Sequence, residues 1–240
     1  MKALILAAGL GERLRPLTDD RPKALVEADG MTMLERTIRT LACAGFDEFV
    51  VNVHYYGQMI IDYLAERGSF GYEISISDER DLLRDTGGAI RHAAPLLEGC
   101  DKFLIHNVDI VSNLDYPWFT GRSVASEAAA TLLVSDRATS RYLLFDDDGL
   151  LVGWTNVKTG EVKSPYGALN VSDYNRRAFS GIHVFSRRLL SEMATWPEKF
   201  SVIDFYLSKC RDFRIEAVEY PHLEIRDLGT PAAVAAFRAF

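Results

Sequence analysis

Apolar residues fall into two alternating patterns along the first half of the chain. Short runs with few polar interruptions, at Ala3–Ala7, Glu48–Val53, Tyr72–Ser77 and Lys102–His106, predict strands buried on both faces. Between them, apolar residues return every third or fourth position. Met33–Ala44 carries Leu34, Ile38, Leu41 and Ala42 on one face and is followed by Gly45, a helix stop; Gln58–Ala65 and Gly88–Leu97 predict two more helices. Strands and helices taking turns with short links predict a parallel sheet covered by helices. Ligands of such sheets bind beyond the carboxyl ends of the strands, so Gly9–Arg15 and Asn107–Asp109, which both follow strands, are expected at one edge.

The second half changes rhythm. Ala128–Val134, Tyr142–Asp146, Leu150–Trp154 and Phe179–Phe185 read as strands, and Asp146-Asp147-Asp148-Gly149 reads as a hairpin turn. Helices are expected at Arg187–Ala194, Val202–Cys210 and Pro231–Phe240, with a strand at Arg214–Glu219. Val157 to Asn175, rich in Gly, Pro, Ser, Asn and Lys, reads as loop, either a lid or an ordinary surface loop. With no linker, repeat or low-complexity run, a single α/β domain is expected over 1–240, with halves at 1–125 and 126–240.

At 240 residues, 48% of them hydrophobic and 25% charged, the chain is long enough for a sizeable core. A net charge of −7 argues against a nucleic-acid partner. No stretch is apolar enough to span a membrane, and the first residues enter a strand without a signal-peptide pattern, so a cytoplasmic protein is expected. Cys43, Cys100 and Cys210 show no metal or redox spacing and read as free thiols. The five histidines are scattered and read as structural.

The densest chemistry lies at the start, Leu6-Ala7-Ala8-Gly9-Leu10-Gly11-Glu12-Arg13-Leu14-Arg15-Pro16-Leu17-Thr18, then Arg21-Pro22-Lys23-Ala24-Leu25. Gly9 and Gly11 lack the Cβ atoms that would hold a phosphate away from backbone N–H groups, and Arg13, Arg15 and Lys23 can supply charge-assisted bonds. A dinucleotide fingerprint is unlike it, because Leu14 stands where Gly or Ala is needed and Phe49-Val50-Val51-Asn52-Val53-His54 ends without an acidic residue. A P-loop is excluded, since no Gly-Lys pair occurs.

The stretch resembles the signature of the sugar-1-phosphate nucleotidyltransferases, G-x-G-[TE]-R-[LM]-x-P-L-T followed by P-K-x-L. It matches at Gly9, Gly11, Glu12, Arg13, Leu14, Pro16, Leu17, Thr18, Pro22, Lys23 and Leu25. The resemblance implies a Rossmann-like α/β fold: a predominantly parallel mixed sheet with helices on both faces and a hairpin-rich insertion binding the sugar. It also implies transfer of a nucleotidyl group from a nucleoside triphosphate to a sugar-1-phosphate with Mg²⁺, the sugar phosphate being its own nucleophile.

Carried over residue by residue, Arg13 would neutralise the leaving pyrophosphate and Lys23 would contact the α-phosphate or the sugar phosphate. Asp109, just past a strand in Asn107-Val108-Asp109, is a metal-binding candidate or else a turn aspartate. Asp227, in Asp227-Leu228-Gly229-Thr230-Pro231, resembles the aspartate that completes the family's metal site, although Glu224-Ile225-Arg226 precedes it where many relatives carry a tryptophan. Gly229-Thr230-Pro231 alone reads as a helix start. Asp204 is a third acidic candidate or part of a cap with Ser201. Ala8-Gly9 and the Gly87-Gly88 pair resemble the segments that admit the base, and Asn107 matches a sugar-phosphate or ribose contact. For the sugar, Trp154, Asn156, Glu161 and Ser180-Gly181 are in the expected region, with Trp154 equally a core residue.

Glu12 and the compact length favour similarity to the N-acetylmuramate-1-phosphate uridylyltransferases of cell-wall recycling, hence UTP as donor. Mannose- or heptose-1-phosphate guanylyl transfer, cytidylyl transfer to a phosphorylated alcohol, and a non-catalytic nucleotide-sugar sensor stand as alternatives. A homodimer is plausible by analogy alone.

Overall fold

A computed structural model describes residues 1–239. Its elements, in chain order, are β1 (Ala3–Leu6), the two-residue strands β2 (Glu27–Ala28) and β3 (Met31–Thr32), α1 (Met33–Cys43), β4 (Glu48–Val53), α2 (Gly57–Glu66), β5 (Glu73–Asp78), α3 (Asp85–His92), β6 (Lys102–Asn107), β7 (Ile110–Ser112) and α4 (Tyr116–Ala125). Then come β8 (Ala130–Ser135), β9 (Arg141–Phe145), β10 (Leu151–Asn156), β11 (Glu161–Lys163), β12 (Asn175–Ser186), α5 (Arg187–Met193), α6 (Val202–Lys209), β13 (Ile215–Glu219), β14 (Ile225–Asp227) and α7 (Pro231–Ala236).

Ten strands form one mixed sheet in the order β11-β10-β9-β12-β6-β1-β4-β5, with β8 and β13 branching from β12. The half built from β6, β1, β4 and β5 is parallel, as the alternation of elements predicts. Period-two alternation sends successive side chains to opposite cores. Ala3, Ile5, Phe49, Val51 and Leu104 face one core with Leu34, Ile38 and Leu41 of α1; Leu4, Val50, Phe103 and Ile105 face the other, with Ile90 of α3 and Phe205 and Tyr206 of α6. Helices therefore cover both faces. No helix among the described residues is long and apolar enough to cross a membrane.

Several boundaries are set by caps. Thr32 accepts the Glu35 N–H at the start of α1, and Gly45, with φ +91°, follows its end. Thr230 caps α7 with Pro231 in its first turn. The Asp146–Gly149 turn joins antiparallel β9 and β10, Asp146 Oδ1 accepting the N–H groups of Asp148 and Leu150.

The structure corrects the sequence reading in four places. Residues 157–175 are not all loop: β11 adds an edge strand against β10, and Val171–Asp173 forms a 3-10 turn. Glu161, Val162 and Lys163 are all exposed, so no apolar alternation marks this strand. Helix α3 starts at Asp85 and stops at His92, and Pro95 confines Ala94–Leu97 to a 3-10 turn. Helix α4, capped by the Asp115 side chain, was absent from the hydrophobic pattern because Thr120, Gly121 and Arg122 interrupt it. Helix α7 ends at Ala236, and Phe240 of the expected span lies outside the described residues.

Helix α3 is fastened to the second half of the chain. Gly87 and Gly88 N–H both donate to the Phe200 carbonyl (2.9 and 3.2 Å), Phe200 N–H donates to the Arg84 carbonyl (3.2 Å), and Val202 N–H donates to Thr86 Oγ1 (3.0 Å). A Cβ on Gly87 would stand 2.4 Å from the Phe200 ring, and one on Gly88 would stand 2.2 Å from the Glu198 carbonyl oxygen. Gly88→Ala is therefore expected to destabilise by about 1–3 kcal/mol, as overpacking does, and to lower the thermal midpoint by several degrees in a calorimetric scan.

Two histidines are enclosed. His106 bonds the Tyr116 hydroxyl through Nε2 (2.8 Å), and His183 meets the Tyr206 hydroxyl through Nδ1 (2.5 Å). Burial pushes their pKa values down to about 4 and about 3, with His106 adding to the effect on His183. Both stay neutral when folded but take up protons when unfolded, so their contribution is complete above the unfolded value near 6.5 and is lost as pH falls to about 4 for His106 and about 3 for His183. The urea midpoint should decline between these limits, with a slope corresponding to proton uptake on unfolding.

Candidate active site

Parallel register brings one row of residues to the carboxyl edge of the sheet: Asn107 of β6 opposite Leu6 of β1, Leu6 opposite Asn52 of β4, and Asn52 opposite Ser77 of β5. Above this row opens a cavity of about 480 Å³. Ala8, Gly9, Arg13 and Lys23 wall it from the N-terminal loop, Asn107 and Asp109 from the end of β6, and Asn52, Glu79 and Leu83 from the ends of β4 and β5. Asp85, Thr86 and Ala89 of α3 and Lys199 of the fastened segment close the remaining side. A second hollow of about 320 Å³ continues past Lys23 and Arg13 along Leu10, Gly11, Glu12 and Gly229.

The N-terminal loop is held at both ends. Asn52 Oδ1 accepts the N–H groups of Ala7 (2.6 Å) and Ala8 (3.3 Å). Gly11 adopts φ +67°, and the Thr18 hydroxyl donates to its carbonyl (2.8 Å); a Cβ there would meet Thr18 Cγ2 at 2.9 Å. Lys23 lies in the 3-10 turn after Pro22, and its ammonium bonds Asp109 Oδ2 at 2.8 Å, with side chains only 17% and 8% exposed. Arg13 reaches Asp227 at 3.7 Å in a far more open pair. Asp227 also accepts the Gly229 N–H (2.8 Å), and a Cβ on Gly229 would strike the Arg13 guanidinium at 2.4 Å.

Asp109 and Asp227 reach this place from adjacent strands. β14 pairs with β7, Asp227 lies opposite Ile110, and the Leu228 N–H donates to the Asp109 carbonyl (2.8 Å). Two carboxylates, each already facing a cation, suit a Mg²⁺ that takes one or two protein oxygens and fills its shell with phosphate and water. Among the described residues no group of three or more His, Cys, Asp or Glu could hold a metal by protein ligands alone.

The other expected site residues divide. Asn107 lines the cavity, and Gly181, at φ +76°, leaves room for it, since a Cβ there would stand 2.6 Å from Asn107 Nδ2. Arg15 pairs with Asp19 on the surface. Gly87 and Gly88 do not face the cavity; they accommodate Phe200 and Glu198. Trp154 packs half-buried against the second core, with the Lys163 ammonium 5.2 Å from its ring centre. Asn156 accepts the Lys158 N–H within its own turn, Glu161 lies exposed on β11, and Asp204 pairs with Lys163 (3.2 Å). None of these four lines the cavity; Trp154, Asn156 and Glu161 belong to β10 and β11, which β9 and β12 separate from β6.

Sequence reading missed Asn52, Glu79 and Lys199. Glu79 is completely buried; its Oε1 accepts Asn52 Nδ2 (2.9 Å), while Oε2 has no partner. Burial pushes its carboxyl up from the ordinary value, outweighing the Asn52 bond, the Arg84 backbone N–H and the His92 and Arg84 charges. A signal existed for the first two, since each is a polar residue at or just past the carboxyl end of an apolar strand.

The family model described as Nucleotidyl transferase matches residues 2–148. The N-acetylmuramate alpha-1-phosphate uridylyltransferase of Caulobacter vibrioides is 38% identical over 157 residues, 61% of this chain and 62% of that one. The mannose-1-phosphate guanyltransferase of Neurospora crassa is 41% identical over 120 residues, 49% of this chain and 32% of its own. The chain thus spans less than two thirds of the length of either curated relative. HddC from Yersinia pseudotuberculosis, solved with GMP-PN, superposes with a TM-score of 0.74 at 24% identity, over 97% of this chain and 96% of that one, a likeness of fold.

Removing Lys23 would leave the Asp109 carboxylate buried without its partner. Lys23→Met should cost on the order of 3 kcal/mol in urea unfolding, and adding Asp109→Asn should restore part of it, because the uncompensated charge then goes.

Proposed function

The chain belongs to the nucleotidyl transferase family, and from that premise we propose that it transfers a nucleotidyl group from a nucleoside triphosphate to a sugar-1-phosphate, releasing pyrophosphate. The observation that carries this reading is the polarity of the cavity. Cations and carboxylates meet at one end, in Lys23–Asp109 and Arg13–Asp227. A buried polar reader, Asn52 and Glu79, stands at the other. A triphosphate at the charged end leaves the base at the polar end.

In the reaction an oxygen of the sugar phosphate forms a bond to the α-phosphorus, and the bond from that phosphorus to the bridging oxygen of the leaving group breaks in line. Lys23 is placed to leave Asp109 and balance charge on the α-phosphate, and Arg13 to hold the departing pyrophosphate in the hollow beside Gly11 and Glu12. Gly9 and Gly11 keep side chains out of the phosphate path. Asp109 and Asp227 would hold Mg²⁺, which supplies charge neutralisation between the two anionic substrates. Asn107 is placed to bind the sugar phosphate or ribose.

We take UTP and N-acetylmuramate-1-phosphate as the substrates, which puts the enzyme in cell-wall recycling; support comes from Glu12 in the loop signature and from the named activity of the Caulobacter relative. Guanylyl transfer to a mannose phosphate is the second reading, favoured by the named activity of the Neurospora relative. Pyrophosphate release measured with Mg²⁺ across four nucleoside triphosphates and a panel of sugar-1-phosphates decides between them. Signal with UTP and N-acetylmuramate-1-phosphate is expected; signal with GTP alone moves the substrate, and nucleotide binding without release indicates a sensor. With the active pair, Arg13→Ala should lower kcat/KM about a hundredfold, the effect of losing roughly 3 kcal/mol of transition-state stabilisation.

A further inference from the structure

The charged side chains that line the cavity are Arg13, Lys23 and Lys199 against Glu79, Asp85 and Asp109. Lys23 is matched by Asp109, and Arg13 by Asp227 just beyond the lining. Lys199 has no match: its side chain is exposed and its ammonium has no ion-pair or hydrogen-bond partner among the described residues. Asp85, the nearest carboxylate in the α3 wall, takes the Thr86 N–H at Oδ1 (2.6 Å) and forms no ion pair with it.

An unpaired lysine on an open surface is ordinary, because water solvates an ammonium well. Lys199 differs in lining a cavity and in how its backbone is held. Arg91 of α3 donates to the Trp196 carbonyl (2.5 Å). The Glu198 carbonyl lies so close to Gly88 that a Cβ there would stand 2.2 Å from it, and the Phe200 carbonyl takes the N–H groups of Gly87 and Gly88. Both neighbours of Lys199 are therefore fastened to α3. The root of its side chain is fixed at the wall, and its ammonium is left to meet a ligand.

The reacting phosphates already have their cations. Lys23 and Arg13 stand with Asp109 and Asp227, on the glycine loop and past the ends of β6 and β14, whereas Lys199 enters from α3. A cation in that place suits a second anionic group on the ligand, held away from its phosphate by a sugar ring. A charge-assisted bond from ammonium to carboxylate favours the acid over a neutral analogue, which leaves the ammonium to water. N-acetylmuramate carries such a group, a lactyl carboxylate on its C3 ether, across the ring from C1. Mannose carries none.

We propose that Lys199 is a specificity-determining residue that takes the carboxylate of an acidic sugar-1-phosphate. This rests on the proposed transfer to a sugar phosphate and narrows its substrate to sugars bearing an acid group.

The test uses two pairs of sugar-1-phosphates that differ by the acid: N-acetylmuramate-1-phosphate against N-acetylglucosamine-1-phosphate, and glucuronate-1-phosphate against glucose-1-phosphate, with mannose-1-phosphate beside them. Pyrophosphate release by the full chain, with Mg²⁺ and each of the four nucleoside triphosphates, gives kcat/KM for every sugar. The acidic member of at least one pair should be favoured about tenfold or more. Lys199→Gln keeps a polar stem without the charge and should cut that preference about tenfold, through KM rather than kcat; Lys199→Glu should cut it further or reverse it. Since Lys199 is exposed and bonded to nothing, both variants should fold like the native chain in circular dichroism. Equal losses on both members of a pair assign Lys199 to a phosphate and overturn the proposal. A native chain that favours neither acid, or acts on mannose-1-phosphate alone, overturns it too, as does a preference that survives in Lys199→Glu; in each of these cases the proposed reaction stands. No release with any sugar and any triphosphate overturns the proposed function and this inference with it.

Discussion

The Asn52 carboxamide joins the two ends of the cavity. Its oxygen receives the two N–H groups at which β1 turns into the glycine loop, and its nitrogen holds the Glu79 carboxyl. A carboxamide can accept on one side and donate on the other without carrying charge. An aspartate in its place would repel Glu79, and a leucine would leave two amide groups and an acid without partners. Because Asn52 is locked in the register of the parallel sheet between Leu6 and Ser77, the positions of the loop and of Glu79 come from strand pairing rather than from loop flexibility.

At the opposite end the charges form two unequal pairs. Lys23–Asp109 is close and nearly buried, whereas Arg13–Asp227 is longer and open to solvent. The inner pair resists separation, since neither charge could be left there alone without a large penalty. The outer pair is screened and costs little to separate. An incoming anion can therefore draw Arg13 away first, before the inner pair must reorganise.

Much of this was legible in the chain itself. Alternating apolar runs gave the parallel half of the sheet to within a residue or two at each strand, because buried strands are marked by composition and the end of α1 by Gly45. The cradle was legible because glycines and cations are contiguous there. What lay beyond reading was set by distance in sequence. Gly87 and Gly88 look like a ligand-approach segment, and only the fold shows Phe200 lying on them. Trp154, Asn156 and Glu161 lie in strands, but sheet order puts β10 and β11 on the far side of β9 and β12 from β6. Strand β11 bears no apolar residue that is buried, so no pattern could announce it.

The hydrogen bonds between α3 and residues 200–202 have a consequence for the chain as it emerges from the ribosome. The strands that hold Asn107, Leu6, Asn52 and Glu79 are all made early, yet the wall carrying Lys199, the strand carrying Asp227 and the long β12 partner of β6 come late. A nascent chain can thus assemble the floor of the cavity while its rim is still unsynthesised. Until the last third arrives, the polar row at the sheet edge stays open to water, and Gly87 and Gly88 leave a bare patch of helix backbone awaiting Phe200.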